Sequence, residues 1–521
     1  MIQRIRLLPI IALLLVTTVI PVPAAAQRQF GNNWSPPELL GDGWWQSVAM
    51  DQEGQFHVGW FGSLTEEVNG VKISHDVLSY IRRSPDGIWS KLNDAIYTGD
   101  GGYTVRNSLD VTSDGSLYAV FRQNTYHAIA HAPARAADNA SNWSSPITLN
   151  NGGYYLDFMI DKDDILHFVY SGGLGILNRG GDISSIELSP CAACNDLFYL
   201  RSADGGKTWS TPYPLSLEAE SGADRINIFQ APSGRIYIDW DEGYDWYAGR
   251  GTPQDVRLAY SDDGGLTWSD PIVLDGGNRD ELRPIQIAAI ELLDESLLAV
   301  WRYSNDTDRQ IYYQTSPDQG VTWTEAEPIP GIFARSNLDT PLDDYELVLN
   351  RQGYVSLFAV GYTNNTDRLL NAGLYQIQYN QGIWQPPLRI FYSPEERPEW
   401  PQAAVGPTND LHVTFFTRDK REDGNKRLMD NHLRVYYSHL PGNLPAEIQE
   451  FTPTQTPLPT PTLVQKLEAT PTPFPTIEKI SDPVGPTTAD TYASQTLMGG
   501  LIAAGIFCVL VVVGLRFVRR E

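Results

Sequence analysis

Strand-like segments in this chain occur in consecutive pairs. Arginine, acidic and aromatic side chains recur just before the first segment of a pair and just after the second. Guanidinium groups pair with carboxylates in a bidentate geometry, and aromatic rings pack against sugar rings. The residues before the first segment include Trp45, Arg106, Arg225, Arg283, Tyr345, Glu399 and Trp400, and those after the second include Asp241, Arg302 and Arg309. Any one of them is better explained as a loop charge facing water. As a set on one surface, they are typical of a pocket for an anionic sugar.

These segments belong to a unit that repeats seven times: an apolar strand, a polar turn, and a strand that ends in aromatic residues. The copies begin at Ser47, Ser108, Phe158, Ile226, Ile287, Glu346 and Ala403, roughly 50 to 70 residues apart, which is a period of blades or arrays. Alternating apolar residues and Gly, Asn and Asp turns predict strands throughout. The sequence therefore predicts an all-β fold, a β-propeller of seven four-stranded blades. In such a fold, the loops before the first strand and after the second share one face.

Three predicted hairpin turns contain the same sequence motif, Ser-x-Asp-x-Gly-x-x-Trp. They span Ser202–Trp209, Ser261–Trp268 and Ser316–Trp323, and degenerate copies span Ser84–Trp89, Asn142–Ser144 and Asn380–Trp384. The Ser and Asp oxygens can accept turn N–H groups, and glycine permits positive φ. The tryptophan is expected to fill the seam between neighbouring sheets.

This motif resembles the Asp-box (BNR repeat) of sialidases and related β-propellers. The resemblance covers residues 32–440 as fold. It implies that the boxes lie on the face away from the active site. It specifies the fold well and the reaction poorly.

The resemblance to sialidases also implies roles for particular residues. In that family three arginines hold the substrate carboxylate, a tyrosine with a glutamate partner is the nucleophile, and an aspartate is the acid/base. Carried onto this chain, the candidate catalytic residues are Tyr345, Glu346 and Asp241. The candidate substrate-binding residues are Arg309, Arg302, Arg283, Arg225, Arg106, Trp45, Trp400 and Glu399.

The chain also departs from the sialidase pattern. It has no Phe/Tyr-Arg-Ile-Pro motif before the first box, and seven repeats are read where sialidase catalytic domains have six blades. Asp224-Arg225 stands where a glutamate would open a middle blade, and Asp241 stands where an arginine is expected. The seven repeats and the missing arginine motif favour a non-catalytic propeller over an enzyme.

The seventh repeat ends at Tyr437 without a strand of the Trp-Ser-x-Pro type. That strand is found at the other end, in Trp34–Leu40. We therefore predict that the N-terminal strand completes the last blade, which closes the ring and removes open sheet edges.

The segments that flank residues 27–442, the predicted propeller, indicate surface display. Residues 1–26 resemble a secretory signal peptide, the alternative being an uncleaved anchor. Residues 443–495 form a Thr/Pro-rich stalk, residues 496–515 a transmembrane helix, and residues 516–521 an Arg-containing cytoplasmic tail. The predicted location is the cell membrane, with one span and an extracellular propeller.

The net charge limits the kinds of partner that the protein can bind, and the cysteines bear on disulfide or metal use. A formal net charge of −25 argues against nucleic acid or an anionic membrane surface as partner of the globular part. Cys191 and Cys194 lie in a loop and are candidates for a small local disulfide, a reading favoured over metal or redox use. We predict no metal and no cofactor.

Three functions remain open from the sequence. The first is an exo-α-sialidase or related glycoside hydrolase that acts on extracellular glycans, sialylated or otherwise acidic. The second is a non-catalytic propeller that binds glycan or protein from a membrane-anchored stalk. The third is an assembly or scaffold factor.

Overall fold

The computed structural model describes residues 33–69, 71–100, 106–124, 126–151, 153, 155–172, 196–216, 223–245, 250–274, 283–304, 308–335, 345–364, 372–419 and 432–445. The predicted signal peptide, transmembrane helix and cytoplasmic tail, the stalk beyond residue 445, and Cys191 and Cys194 lie outside these residues. Within the described ranges, no helix is long and apolar enough to cross a membrane.

The described residues form antiparallel sheets of consecutive strands, apart from β1 (Glu38–Asp42), which joins the last sheet. The first three sheets have four strands each. The first contains β2 (Trp44–Met50), β3 (Phe56–Val68), β4 (Val71–Arg83) and β5 (Asn93–Asp100). The second contains β6 (Asn107–Val111), β7 (Ser116–Gln123), β8 (Tyr126–Pro133) and β9 (Ile147–Asn151), with two 3₁₀ turns, Ala134–Ala136 and Ala140–Asn142. The third contains β10 (Leu156–Ile160), β11 (Leu166–Gly172), β12 (Asp196–Ser202) and β13 (Tyr213–Ser216).

The next two sheets differ in size. A four-stranded sheet contains β14 (Ala223–Gln230), β15 (Ile236–Asp245), β16 (Arg250–Ser261) and β17 (Ile272–Leu274). A nine-stranded sheet begins with β18 (Pro284–Glu291), β19 (Leu297–Tyr303), β20 (Gln310–Ser316) and β21 (Glu327–Ala334). It continues with β22 (Glu346–Leu349), β23 (Val355–Tyr362), β24 (Gly373–Asn380), β25 (Ile383–Trp384) and β26 (Leu388–Phe391). Two residue pairs between β21 and β23 join its halves.

The last sheet confirms that the N-terminal strand closes the ring. It has the order β1-β29-β28-β27, with β27 (Glu396–Val405), β28 (Leu411–Asp419) and β29 (Leu433–Leu440). Just ahead of β1, the Ser35 N–H donates to the His439 carbonyl at 2.8 Å. The Trp34 side chain is buried, and its indole N–H donates to Gln376 Oε1 at 3.0 Å in the preceding sheet.

The first strands of successive units contact one another around a common axis. Contacts run from β2 through β6, β10, β14, β18, β22 and β27 and return to β2. Buried apolar and aromatic residues fill the seams between neighbouring sheets. This is the arrangement of an all-β propeller, and it places the start of each first strand at one end of the axis.

The three turns with the Ser-x-Asp-x-Gly-x-x-Trp motif have the predicted hydrogen bonds. In the first, Ser202 Oγ accepts the Gly206 N–H at 2.9 Å, and the Asp204 carboxylate accepts the Thr208 N–H at 2.9 Å and its hydroxyl at 2.7 Å. The turns at Ser261 and Ser316 repeat these bonds.

The tryptophans of these turns fill the seams as predicted. The Trp268 ring centroid lies 4.8 Å from that of Tyr199 in the preceding sheet. Trp268→Ala should lower the free energy of unfolding by about 3–5 kcal/mol, since it removes a buried aromatic side chain. Urea denaturation measures the change. Leu266→Ala in the same turn is the control, because that side chain is exposed and its loss should cost almost nothing. Equal effects of both changes would contradict the seam role of Trp268.

Carboxylates of the first or second strand of one unit accept backbone N–H groups from the first strand of the next unit. The Asp110 carboxylate accepts the Ile160 N–H at 2.7 Å, and Asp157 accepts the Ile228 N–H at 2.9 Å. Asp239 accepts the Ala289 N–H at 3.0 Å. Burial raises the pKa of Asp110 to about 7 and that of Asp157 to about 6, and it raises the pKa of Asp239 well above its ordinary value.

Because of the raised pKa values of these carboxyl groups, we predict that the free energy of unfolding falls as the pH rises. Between about pH 4 and pH 7 the folded chain keeps protons on Asp110 and Asp157 that the unfolded chain has released, so protonation favours folding in that window. Buried histidines act in the opposite direction; burial lowers the pKa of His127 to about 3, and the unfolded chain binds a proton there. The more numerous carboxyl groups outweigh them, and the net charge of −25 adds repulsion at high pH. We expect a higher urea midpoint at about pH 5 than at about pH 7.5, and a smaller difference in Asp110→Asn. A midpoint that rises over this range would contradict the expectation.

Candidate functional site

A cavity of about 560 Å³ lies along the propeller axis, between the first strands. Part of it is lined by Trp45, Arg106 and Tyr345, which lie at or just before the starts of these strands, and by Trp400, in the middle of β27. Five of the predicted site residues therefore border one cavity, since Glu346 lines it as well. This volume is within the range of small-ligand pockets.

Four first strands break register in the same way, three near their starts and β27 in its middle. Ladder pairing in β2, β14, β18 and β27 skips two residues, and the first of the two has positive φ. These residues are Trp45 (53°), Arg225 (52°), Gln286 (61°) and Trp400 (51°). A bulge re-aims the side chains at the break, and positive φ in bulky residues is a strain that the surroundings must hold. Three of the four were predicted site residues.

Tyr345 lies in a buried cluster with Arg302, Arg225 and Asp241. Its side chain is 4% exposed, and among the described residues its hydroxyl has no hydrogen-bond partner. Burial raises the pKa of Tyr345 to about 12, Arg302 and Arg225 oppose the rise, and Asp241 adds to it. The hydroxyl therefore stays neutral in the field of two cations, an arrangement suited to an anionic ligand.

Arg302 is held from two sides. Its Nε donates to Gln286 Oε1, and its Nη1 donates to the Arg335 carbonyl. Within the described part of the chain, its buried Nη2 has no hydrogen-bond partner. Burial lowers the pKa of Arg302 to about 10, so it remains a cation at neutral pH. A guanidinium that is held in place and whose Nη2 can still donate is suited to bind a carboxylate.

Arg309 belongs near this cluster, because its charge helps to lower the pKa of Arg302. It lies before β20 with a φ of 56°, and its carbonyl accepts the Ala334 N–H at 2.8 Å. Arg283 lies at the start of β18, where its carbonyl accepts the Ser304 N–H at 2.7 Å.

Asp241 caps the register break of the next sheet. The break in β18 leaves two N–H groups outside the ladder, and the Asp241 carboxylate accepts both, from Gln286 at 2.7 Å and Ile287 at 3.0 Å. Arg225 Nε lies 3.3 Å from the same carboxylate. Burial raises the pKa of Asp241 to about 6 despite these partners. Asp241 thus positions Arg225 and β18, while its predicted acid/base role stays a prediction.

Glu346 and Tyr345 belong to different environments. Glu346 Oε2 accepts a hydrogen bond from Gln402 Nε2 at 3.1 Å, and the carboxylates that raise its pKa further after burial are Asp157 and Asp239. The charges that act on Tyr345 are Arg302, Arg225 and Asp241 instead. A role for Glu346 as partner of the tyrosine hydroxyl also stays a prediction.

Arg106 lies inside an aromatic cage. Its guanidinium carbon is 4.0 Å from the Trp45 ring centroid, 3.9 Å from Trp400 and 4.4 Å from Tyr155. Its charge also lowers the pKa of Asp157. The two tryptophans therefore pack on a protein cation, which fixes Arg106 at the cavity wall.

Glu399 pairs with arginines rather than lining the cavity. It is fully buried, 3.6 Å from Arg335 Nη2, and accepts from Arg418 Nε at 3.1 Å. Sequence analysis missed Arg335, a buried guanidinium whose carbonyl holds Arg302. It follows β21, the fourth strand of its unit, whereas candidates were sought beside the first and second strands. Its place one residue after a buried strand was the available signal.

Comparisons with known proteins agree with this fold. Residues 194–413 match the BNR repeat-like domain family. A sialidase from Clostridium perfringens is 25% identical over 184 residues, 30% of this chain and 48% of the relative, so the chain spans about half the length of that protein. Among solved structures, the NanB sialidase of Streptococcus pneumoniae has 12% identity and a TM-score of 0.43, covering 79% of this chain and 94% of its own. An ulvan lyase has 12% identity and a TM-score of 0.48, covering 79% and 98%. By the family match, the chain contains a BNR repeat-like domain in its β-propeller, and by the 184-residue alignment it is a distant homologue of the Clostridium perfringens sialidase, as the Asp-boxes indicated.

Proposed function

We propose that this protein binds an acidic glycan at the Tyr345 cluster and cleaves it as an exo-α-sialidase or related glycoside hydrolase. The observation that carries the proposal is the buried Tyr345 hydroxyl, which lies in the field of Arg302 and Arg225 and has no hydrogen-bond partner among the described residues. The arginines would hold the sugar carboxylate. The tyrosine oxygen would attack the anomeric carbon as the glycosidic bond breaks, since a neutral nucleophile is not repelled by that carboxylate. The oxygen of the leaving aglycone would take up the proton that the tyrosine releases, and water would then cleave the tyrosyl–sugar bond. Asp241, the carboxylate whose charge acts on Tyr345, is our candidate acceptor of the tyrosine proton.

A second candidate is a non-catalytic propeller that binds acidic glycans. The specific observation in its favour is that Asp241 already accepts two backbone N–H groups. The position of Glu346 beside Asp157 and Asp239 favours it too. Both candidates use the same arginines, and they differ in whether Tyr345 reacts.

We also propose seven blades and display on a membrane-anchored stalk. The ring of seven contacting first strands supports the count, with the nine-stranded sheet divided after β21. The described chain ends beside turns that join first to second strands: Leu444 N–H donates to Thr408 O at 3.1 Å, and Arg351 Nη2 donates to Pro445 O at 3.3 Å. These turns lie at the opposite end of the first strands from Trp400 and Tyr345.

The proposal is tested with a fluorogenic sialoside and a glycan array. We expect turnover of the sialoside and binding of sialylated or other acidic glycans. Arg302→Lys keeps the charge but loses the planar fork, so kcat/KM or affinity should fall about tenfold or more. Arg235→Lys is the matched control, because Arg235 makes a two-point contact with Asp262 at a turn on the other face. Unchanged recognition in folded Arg302→Lys would place the site elsewhere.

A further inference from the structure

Three sheets contain the same buried relay of aspartate, histidine and tyrosine. In each, Nε2 of a histidine in the second strand lies within hydrogen-bond distance of an aspartate carboxylate in the preceding turn. Nδ1 of the same ring lies within hydrogen-bond distance of a tyrosine hydroxyl in the third strand. The relays are Asp51–His57–Tyr80, Asp161–His167–Tyr199 and Asp410–His412–Tyr437. Because the relay recurs, these bonds alone are explained by blade architecture.

The third relay differs from the others by one residue. Across the ladder, Arg82 pairs with His57 and Arg201 with His167, but His439 pairs with His412. Two imidazoles therefore meet one carboxylate. Asp410 Oδ2 lies 2.6 Å from His412 Nε2 and 3.5 Å from His439 Nε2, and one atom of each side chain lies within 4.8 Å of the others.

The surroundings suit a bound cation. The His412 ring is stacked on Phe56 at 4.9 Å, which fixes its orientation. His412 Nδ1 lies 2.8 Å from the Tyr437 hydroxyl. With the ring hydrogen on Nδ1 and donated to that oxygen, the Nε2 lone pair is available to a metal, a common outer-shell arrangement. His439 and Asp410 are partly exposed, so an ion can reach them.

We propose that Asp410, His412 and His439 bind Zn²⁺ through Oδ2 and the two Nε2 atoms, with water as fourth ligand. Two imidazoles and a carboxylate are a suitable zinc set, and contacts of about 2.0–2.2 Å need only small side-chain movements from the present spacing. The ion would join the turn before β28 to β28 and β29. His439 is also the residue whose backbone binds Ser35. Zinc at this place would therefore stabilise the closure of the ring.

The test uses the metal-stripped full-length chain, titrated with ZnCl₂ by calorimetry and followed by thermal unfolding. We expect one equivalent to bind and the melting temperature to rise. His439→Arg installs the residue that the other two relays carry, so it should fold and lose both responses. His75→Gln removes another partly exposed imidazole beside a carboxylate, Glu66, and should keep both.

Tyr437→Phe gives an independent measurement. Loss of the outer-shell oxygen should weaken zinc affinity about 10–100-fold without removing a ligand. His439→Gln replaces His439→Arg if the latter does not fold. The proposal is overturned if the wild-type chain binds no zinc, or if a folded His439 variant binds it as tightly as the wild type.

Discussion

Replacing Tyr345 with phenylalanine should abolish nearly all turnover of a sialoside while leaving glycan affinity almost unchanged. The change removes one oxygen. If that oxygen is the nucleophile, the covalent step is lost, whereas the arginines that hold the carboxylate are untouched. If the protein only binds, the loss is at most one hydrogen bond, about 0.5–1.5 kcal/mol.

In this structure, replacing Tyr345 with phenylalanine should change the hydroxyl without disturbing the fold. Among the described residues the Tyr345 hydroxyl has no hydrogen-bond partner, so phenylalanine leaves no buried donor or acceptor unsatisfied. The ring continues to pack in the core beside Leu357 and Ala359. The melting temperature should therefore stay close to that of the wild type.

Turnover and affinity must be measured on the same preparation. Tyr170→Phe is the matched control, because Tyr170 is also a buried tyrosine and lies on β11, outside the Tyr345 cluster. It should retain full turnover. If the wild type cleaves no sialoside and Tyr345→Phe changes nothing, the hydrolase proposal is wrong and the binding candidate stands.

The parts of the fold that depend on local chemistry were predictable from the sequence. Ser202, Asp204 and Gly206 specify a turn with short-range hydrogen bonds, and the structure forms those bonds. The N-terminal strand was predicted because the last repeat lacked a strand that Trp34–Leu40 supplied. Its paired part is Glu38–Asp42, with Trp34 packed ahead of it.

The candidate site was predicted less completely, because its chemistry depends on contacts between distant residues. Loop position predicted that Tyr345, Arg302 and Arg225 share one end of the axis, and in the structure the charges of the two arginines act on Tyr345. It could not reveal that Asp241 caps the free N–H groups of Gln286 and Ile287, since a register break is not visible in residue types. Tyr345 lies just before β22 and Glu346 begins it, and different charges act on the two side chains, so adjacency in sequence did not mean a shared environment.

Deleting residues 27–42 should destabilise the propeller by at least about 3 kcal/mol. The deletion removes the buried Trp34 side chain, a loss of the size expected for a large core aromatic. It also removes β1, which leaves the polar backbone groups of β29 unpaired at a sheet edge. We expect a much lower urea midpoint and concentration-dependent association through the exposed edge.

Two point variants separate these contributions. Trp34→Ala keeps β1 but removes the contact with Phe358 at 5.9 Å and the hydrogen bond to Gln376, so it should account for most of the lost stability. Leu39→Ala removes a side chain that is 55% exposed on the same strand and should change little. If the deletion variant unfolds at the wild-type midpoint, the N-terminal strand does not close the ring in solution. If it is destabilised while Trp34→Ala is not, then backbone pairing of β1 with β29, rather than the tryptophan, holds the last sheet together.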